Sequence, residues 1–221
     1  LIVEFSDIYA EAIGLFDDPA ITQAFNNNHI QFFQIMYTYL QNAIPRFDNP
    51  SNIQDILSLA SNPSGQTEVF TGDGITTNYV LTTTPVPNSF FEYTINNVEM
   101  DFTYDVVTNS ITIPSAIPIG TEGIFQWYFA GEIVDTTNTL DNTARNILAR
   151  LVVVCWAEKE KNFLLDIRRL LGDTDFKLDS AANSIRSKSS WYDTMREEVE
   201  KKMNKYAFNL RIKKFRNKGR F

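Results

Sequence analysis

The spacing of apolar residues changes period twice along this chain, from about 3.6 to 2 and back again, and this constrains the fold more than any other feature. Phe5, Ile8, Tyr9, Ile13 and Phe16 recur at three-to-four spacing, which predicts a helix from Glu4 to Phe16. Asp17-Asp18-Pro19 restarts it, because Asp18 can cap free amides and Pro19 suits a first helical position, where its missing N–H costs nothing. A longer helix is expected from about His29 to Ala43, with Ile30, Phe33, Met36, Tyr37 and Leu40 inward and Pro45 as its stop. Asn49-Pro50 opens a short helix carrying Ile53, Ile56, Leu57 and Ala60.

At Ser61-Asn62-Pro63-Ser64-Gly65 the period becomes two. From Thr67 to Val134 the chain reads as short strands rich in Val, Ile, Thr, Tyr and Phe. They are expected at Thr67–Phe70, Thr77–Thr82, Phe90–Ile95, Val98–Phe102, Ser110–Ile113 and Gly123–Ala130. Asn96-Asn97 suits a two-residue hairpin turn, since Asn tolerates positive φ, and Gly72-Asp73-Gly74 supplies another tight reversal. The helical period returns near Thr137, through Leu140, Ala144, Ile147, Leu148, Leu151, Val154 and Cys155, then Phe163, Leu164, Ile167 and Leu171. Gly172 is expected to end it, and Asp173 to Asp179 reads as a loop. A last helix begins about Ser180 and carries Ile185, Trp191, Tyr192, Met195, Val199 and Met203.

The expected class is therefore α+β. Residues 1–65 and 136–205 form a helical bundle, residues 66–135 an inserted small antiparallel β sandwich or barrel, and residues 206–221 an extended basic C-terminal arm.

Charge divides the chain just as sharply. Residues 1–144 sum to −16 with Arg46 as their one base, while residues 145–221 sum to +9. The positive excess sits almost wholly in Lys201, Lys202, Lys205, Arg211, Lys213, Lys214, Arg216, Lys218 and Arg220, with no acid among residues 201–221. Phe208, Leu210, Ile212, Phe215 and Phe221 are interleaved with these bases, which fits a segment that docks apolar side chains on a partner better than a solvated polybasic tail. From residue 47 to residue 144 there is no Lys or Arg, so nucleic-acid phosphate would be repelled there.

Catalytic and metal chemistry finds little footing. His29 is the one histidine, so no two-histidine metal site can be built, and beside Asn26-Asn27-Asn28 it reads as an exposed or capping residue. Cys155, the one cysteine, lies in the most apolar stretch and reads as a core thiol. Gly72-Asp73-Gly74-Ile75-Thr76-Thr77 lacks the lysine and following helix of a phosphate loop. Glu99/Asp101 read as a solvated strand face, and Asp173/Asp175 have too few companion oxygens for calcium. Phe90-Phe91-Glu92-Tyr93 and Trp127-Tyr128-Phe129 come without bases and read as core aromatics rather than stacking platforms. No catalytic residue, cofactor or metal is expected. The apolar run around Cys155 is interrupted by Arg150 and is shorter than the ~20 residues a bilayer span needs, and Leu1 to Asp7 has no basic region of a signal peptide.

The run Val69-Phe70-Thr71-Gly72-Asp73-Gly74-Ile75-Thr76-Thr77-Asn78-Tyr79-Val80-Leu81, with Tyr93-Thr94-Ile95-Asn96-Asn97-Val98, Ile119-Gly120 and Ile124-Phe125-Gln126-Trp127-Tyr128, resembles a β module of tailed-phage structural proteins. Ile8-Tyr9 to Asp18-Pro19, Leu140 to Trp156, and Asp175-Phe176-Lys177 with the long basic helix after it resemble the helices of phage head-to-tail connectors, the adaptor or neck rings. Adaptors of this kind are often smaller and all-helical, so the inserted module is a departure. The resemblance implies a virion structural protein, assembled in the host cytoplasm into a ring commonly of twelve copies, between the portal protein and neighbouring neck or tail proteins. Duplex DNA would pass through such a ring without specific binding, no membrane would be involved, and the basic segment from Lys201 to Phe221 would be the partner-binding part. The alternatives are another tail, baseplate or capsid-associated component, or a nucleic-acid-binding protein using its basic C-terminal segment.

Overall fold

A computed structural model describes residues 2–16, 19–27, 29–50, 53, 57, 60–135, 140–175 and 179–218. Helices and antiparallel sheets both occur, and the chain divides into two compact units, residues 1–61 with 132–221, and residues 62–131.

In the first unit, β1 (Ile2–Glu4) leads directly into α1 (Phe5–Ile13), whose buried Phe5, Ile8, Tyr9 and Ala12 follow the helical period. After α2 (Pro19–Asn27) comes α3 (His29–Ala43), which buries Phe32, Phe33, Met36, Tyr39, Leu40 and Ala43, leaving Ile30 and Tyr37 half-buried at the edge of that face. A 3-10 turn over Ile44–Arg46 follows. The Asp17-Asp18 cap and most of the short helix expected after Pro50 lie outside the described residues; Ile53 and Leu57 are buried, but Ala60 belongs to a strand, β2 (Ala60–Ser61).

The second unit holds β3 (Ser64–Thr71), β4 (Asn78–Val80), β5 (Phe90–Ile95), β6 (Val98–Glu99), β7 (Thr103–Asp105), β8 (Ser110–Thr112) and β9 (Glu122–Phe129). They form two antiparallel sheets, in the orders β3-β9-β5-β6 and β4-β8-β7. Leu81, Tyr93, Ile111, Ile113, Ile117, Phe125 and Trp127 make the common core, so the aromatic runs serve as packing. Asn96 and Asn97 both have positive φ, 53° and 62°, and close the β5–β6 hairpin with Ile95 opposite Val98. Glu68 is buried on β3, where both carboxylate oxygens accept the Thr82 N–H at 3.0 and 2.9 Å and one also accepts from Thr83 N–H at 3.1 Å. Burial pushes that carboxyl up, but the threonine hydrogen bonds outweigh it and hold it below its ordinary value.

Residues 132–135, expected in the β module, belong instead to the helical unit. There β10 (Glu132–Val134) pairs with β1 on one side and β2 on the other, so the chain leaves and re-enters this unit on neighbouring strands. Two or three residues on each strand give too short a period for the sequence pattern to register.

The unit is completed by two long helices, α4 (Asn142–Asp175) and α5 (Asp179–Lys218), about 50 and 60 Å at the standard rise. Asp141 caps α4, accepting the Ala144 N–H at 3.0 Å, and Asp135 accepts the Leu140 N–H at 2.6 Å just before it. Residues 136–139, where the helical period was expected to return, lie outside the described residues. Gly172 does not end the helix: α4 continues to Asp175, carrying Asp173 and Asp175 on helix rather than in a loop. One glycine costs a helix only about 1 kcal/mol, which neighbouring turns absorb. The side chains of Phe163, Leu164, Ile167, Leu171 and Ile185 lie outside the described ones. From Ile147 to Ala157, all but half-buried Arg150 are buried, because α1, α3 and α5 all pack against α4.

Two predictions follow from the β unit. At Gly123 an added Cβ would lie 2.6 Å from the Tyr93 hydroxyl and from Ile117 Cδ1, so Gly123→Ala should destabilise the protein by about 1–3 kcal/mol in chemical denaturation. In the turn after β3, Asp73 accepts the Thr76 hydroxyl and the Thr76 and Ile75 N–H groups, which hold its carboxyl down at about 2. A depressed folded-state value means this stabilisation is full above the ordinary 3.8 and is lost as pH falls toward 2. An NMR titration should place the Asp73 midpoint near 2, and Thr76→Val should move it back toward 3.8.

Candidate partner-binding surface

The basic segment forms no separate extended arm. It is the distal part of α5, helical without interruption to Lys218, and its first turns are core. Tyr192, Met195, Val199, Met203, Tyr206 and Ala207 are buried at three-to-four spacing along one face. Tyr206 hydrogen-bonds the Asp141 carboxylate at the head of α4; burial first, then the Asp141 and Asp135 charges, push its phenol well above the ordinary value. Its ring also meets Phe47, with centroids 6.4 Å apart, and Asn49 Nδ2 donates to Asn204 Oδ1 at 2.8 Å.

Ion pairs join α5 to α4. Arg150 meets Glu198 at 3.6 Å, Lys161 meets Asp193 at 3.6 Å, and Trp156 packs edge-on to Trp191 at 6.2 Å. These pairs use two of the ten bases and two of the ten acids of residues 145–200. Each exposed pair contributes about 0–1 kcal/mol, less than the buried apolar face beside it. Cys155 lies in this core, its thiol pushed up to about 11 by burial.

Beyond Ala207 none of the residues to Arg216 is buried. Lys201, Lys202, Lys205, Arg211, Lys213, Lys214 and Arg216 are exposed, while Lys218 ends the helix and Arg220 and Phe221 lie outside the described residues. The interleaved apolar residues divide into two groups. Leu210 is half-buried and lines a groove of about 500 Å³ with Asp48, Asn49, Pro50 and Ala207. Phe208, Ile212 and Phe215, at i, i+4 and i+7, form one stripe on the side of α5 opposite Tyr206 and Val199. They are 62%, 38% and 76% exposed, and Arg211 flanks the stripe on one side, Lys205 and Arg216 on the other.

His29 opens α3, Glu99 lies on β6 and is exposed with Asp101, and Gly72-Asp73-Gly74 makes the turn described above. Among the described residues, no group of three or more His, Cys, Asp and Glu is placed to hold a metal, and no helix is long and apolar enough to cross a membrane.

Truncation should separate the two parts of α5. Removing residues from 208 onward should leave the midpoint of thermal unfolding nearly unchanged, whereas Tyr206→Ala should cost about 3–5 kcal/mol, the usual loss for a buried aromatic.

No protein-family model matches the chain and no curated protein is found similar to it.

Proposed function

We propose that this chain is a structural subunit of a phage head-to-tail connector ring, joining the portal to the tail and lining the channel through which DNA leaves. On this reading the first unit is the ring-forming helical bundle, the second an inserted β sandwich, and the virion its destination. The observation that carries the reading is the distal part of α5, where an exposed Phe208, Ile212 and Phe215 stripe is framed by exposed bases on an otherwise acidic chain. Such a helix suits assembly against acidic protein surfaces, because apolar burial supplies affinity while opposite charge steers and orients. The absence of any Lys or Arg from residue 47 to residue 144 suits a wall that DNA slides past without sticking. Neither feature calls for catalysis, a cofactor or a membrane.

The exposed bases on α5 also favour a second reading, nucleic-acid binding through that helix. Electron microscopy of the purified particle separates the two. A closed ring of this chain between portal and tail is expected, and the chain truncated from residue 208 should fail to join it. Particles with isolated, non-ring copies would sink the connector reading, and duplex binding by the free protein, steeply salt-dependent and lost on truncation, would favour the second.

A further inference from the structure

The loop after β3 and the loop before β9 carry the complement of the α5 stripe. Gly72 N–H donates to Thr121 O at 2.8 Å and Gly74 N–H to Ile117 O at 3.0 Å, while Gly120 N–H returns to Gly72 O at 3.3 Å. Asp73 braces the first loop from within through Ile75 and Thr76. These ties hold the two loops together as one tip, yet they present Ile75 and Ile119 at 83% and 81% exposure. Gly74 lies close enough to Ile119 that an added Cβ would meet its side chain at 3.0 Å. Asp73 is exposed on the first of these loops and Glu122 at the start of β9, and residues 62–131 hold seven carboxylates and no base.

An apolar pair held rigidly and rimmed by acid is a poor solvent-facing surface and a good receptor for an apolar stripe rimmed by base. We infer that the Phe208, Ile212 and Phe215 face of α5 docks on the Ile75 and Ile119 tip of a second copy of this chain. Each copy carries both halves of the contact, so the contact is head-to-tail, and it closes into a ring if the rotation between copies allows. The inference rests on the connector reading for that closure, and the contact itself is open to test in solution. Exposed Val106 and Val107, in the turn after β7, form a separate apolar point that this contact does not use.

The test mixes two populations of the full chain, one with Asn209→Cys beside the stripe and the other with Thr71→Cys beside the tip, under a short thiol cross-linker at high protein concentration. Cys155 is buried with its thiol held protonated, so it does not compete. A cross-linked dimer is expected only when both populations are present, and it should fade as salt is raised. Arg211→Glu with Arg216→Glu should reduce it at least about tenfold, and Glu122→Lys in the other population should restore part of the loss. Val106→Ser with Val107→Ser should leave it unchanged. No cross-link overturns the inference, as does one that forms only within a single chain carrying both cysteines, or one abolished by the Val106 and Val107 changes. Salt-sensitive capture of duplex DNA by the same α5 residues, without self-cross-linking, assigns the stripe to nucleic acid instead. Particle images separate this failure from that of the connector reading: a ring whose α5 ends meet another protein overturns the self-contact alone, whereas particles with no ring overturn the reading beneath it.

Discussion

Burial of the middle of α4 on all sides, from Ile147 to Ala157, is the constraint from which the helical unit follows. A helix carrying Ile147, Leu148, Leu151, Val152, Val153 and Val154 within two turns has no face left for water, so it must be surrounded. Each such side chain, fully buried, contributes roughly 1.5–3 kcal/mol, which is why α1, α3 and α5 gather around this helix. Arg150 breaks the run without breaking the arrangement, because it sits toward α5, hydrogen-bonds Asn146 at 3.1 Å and reaches Glu198.

The same packing determines where α5 stops being core and becomes surface. Tyr206 reaches Asp141 at the start of α4, and past that point α4 offers no further turn to cover. Helix α5 nevertheless continues for about three turns, its backbone bonds satisfied internally and its apolar stripe facing away from its own unit. An exposed stripe of two phenylalanines and an isoleucine is costly to leave in water, and exposed bases frame it on both sides. The β unit applies the opposite combination: its aromatics make a core, and five of its seven acids, with a few isoleucines and valines, are left exposed.

Much of this was legible in the chain. The period of two marked all six strands expected between Thr67 and Ala130, although only Val98–Glu99 of Val98–Phe102 is strand and β7 was not expected. Helices α1, α3, α4 and α5 lie where the 3.6 period predicts, since each buries enough apolar side chains to impose its own repeat. The β1-β10-β2 sheet was not legible, because strands of two or three residues show no alternation and exist only through their partners. Gly172 misled for a related reason: a local preference of about 1 kcal/mol yields to a long helix on either side.

The candidate surface divides along the same line. Composition alone determined that bases gather in residues 201–221, that apolar residues alternate with them, and that the chain before residue 145 is acidic. Linear order could not decide which of those apolar residues are covered and which stay exposed. Only the docking of α5 separated Tyr206, Ala207 and half-buried Leu210 from Phe208, Ile212 and Phe215, because burial depends on what lies across a helix face and residues 40 or more positions away supply that neighbour.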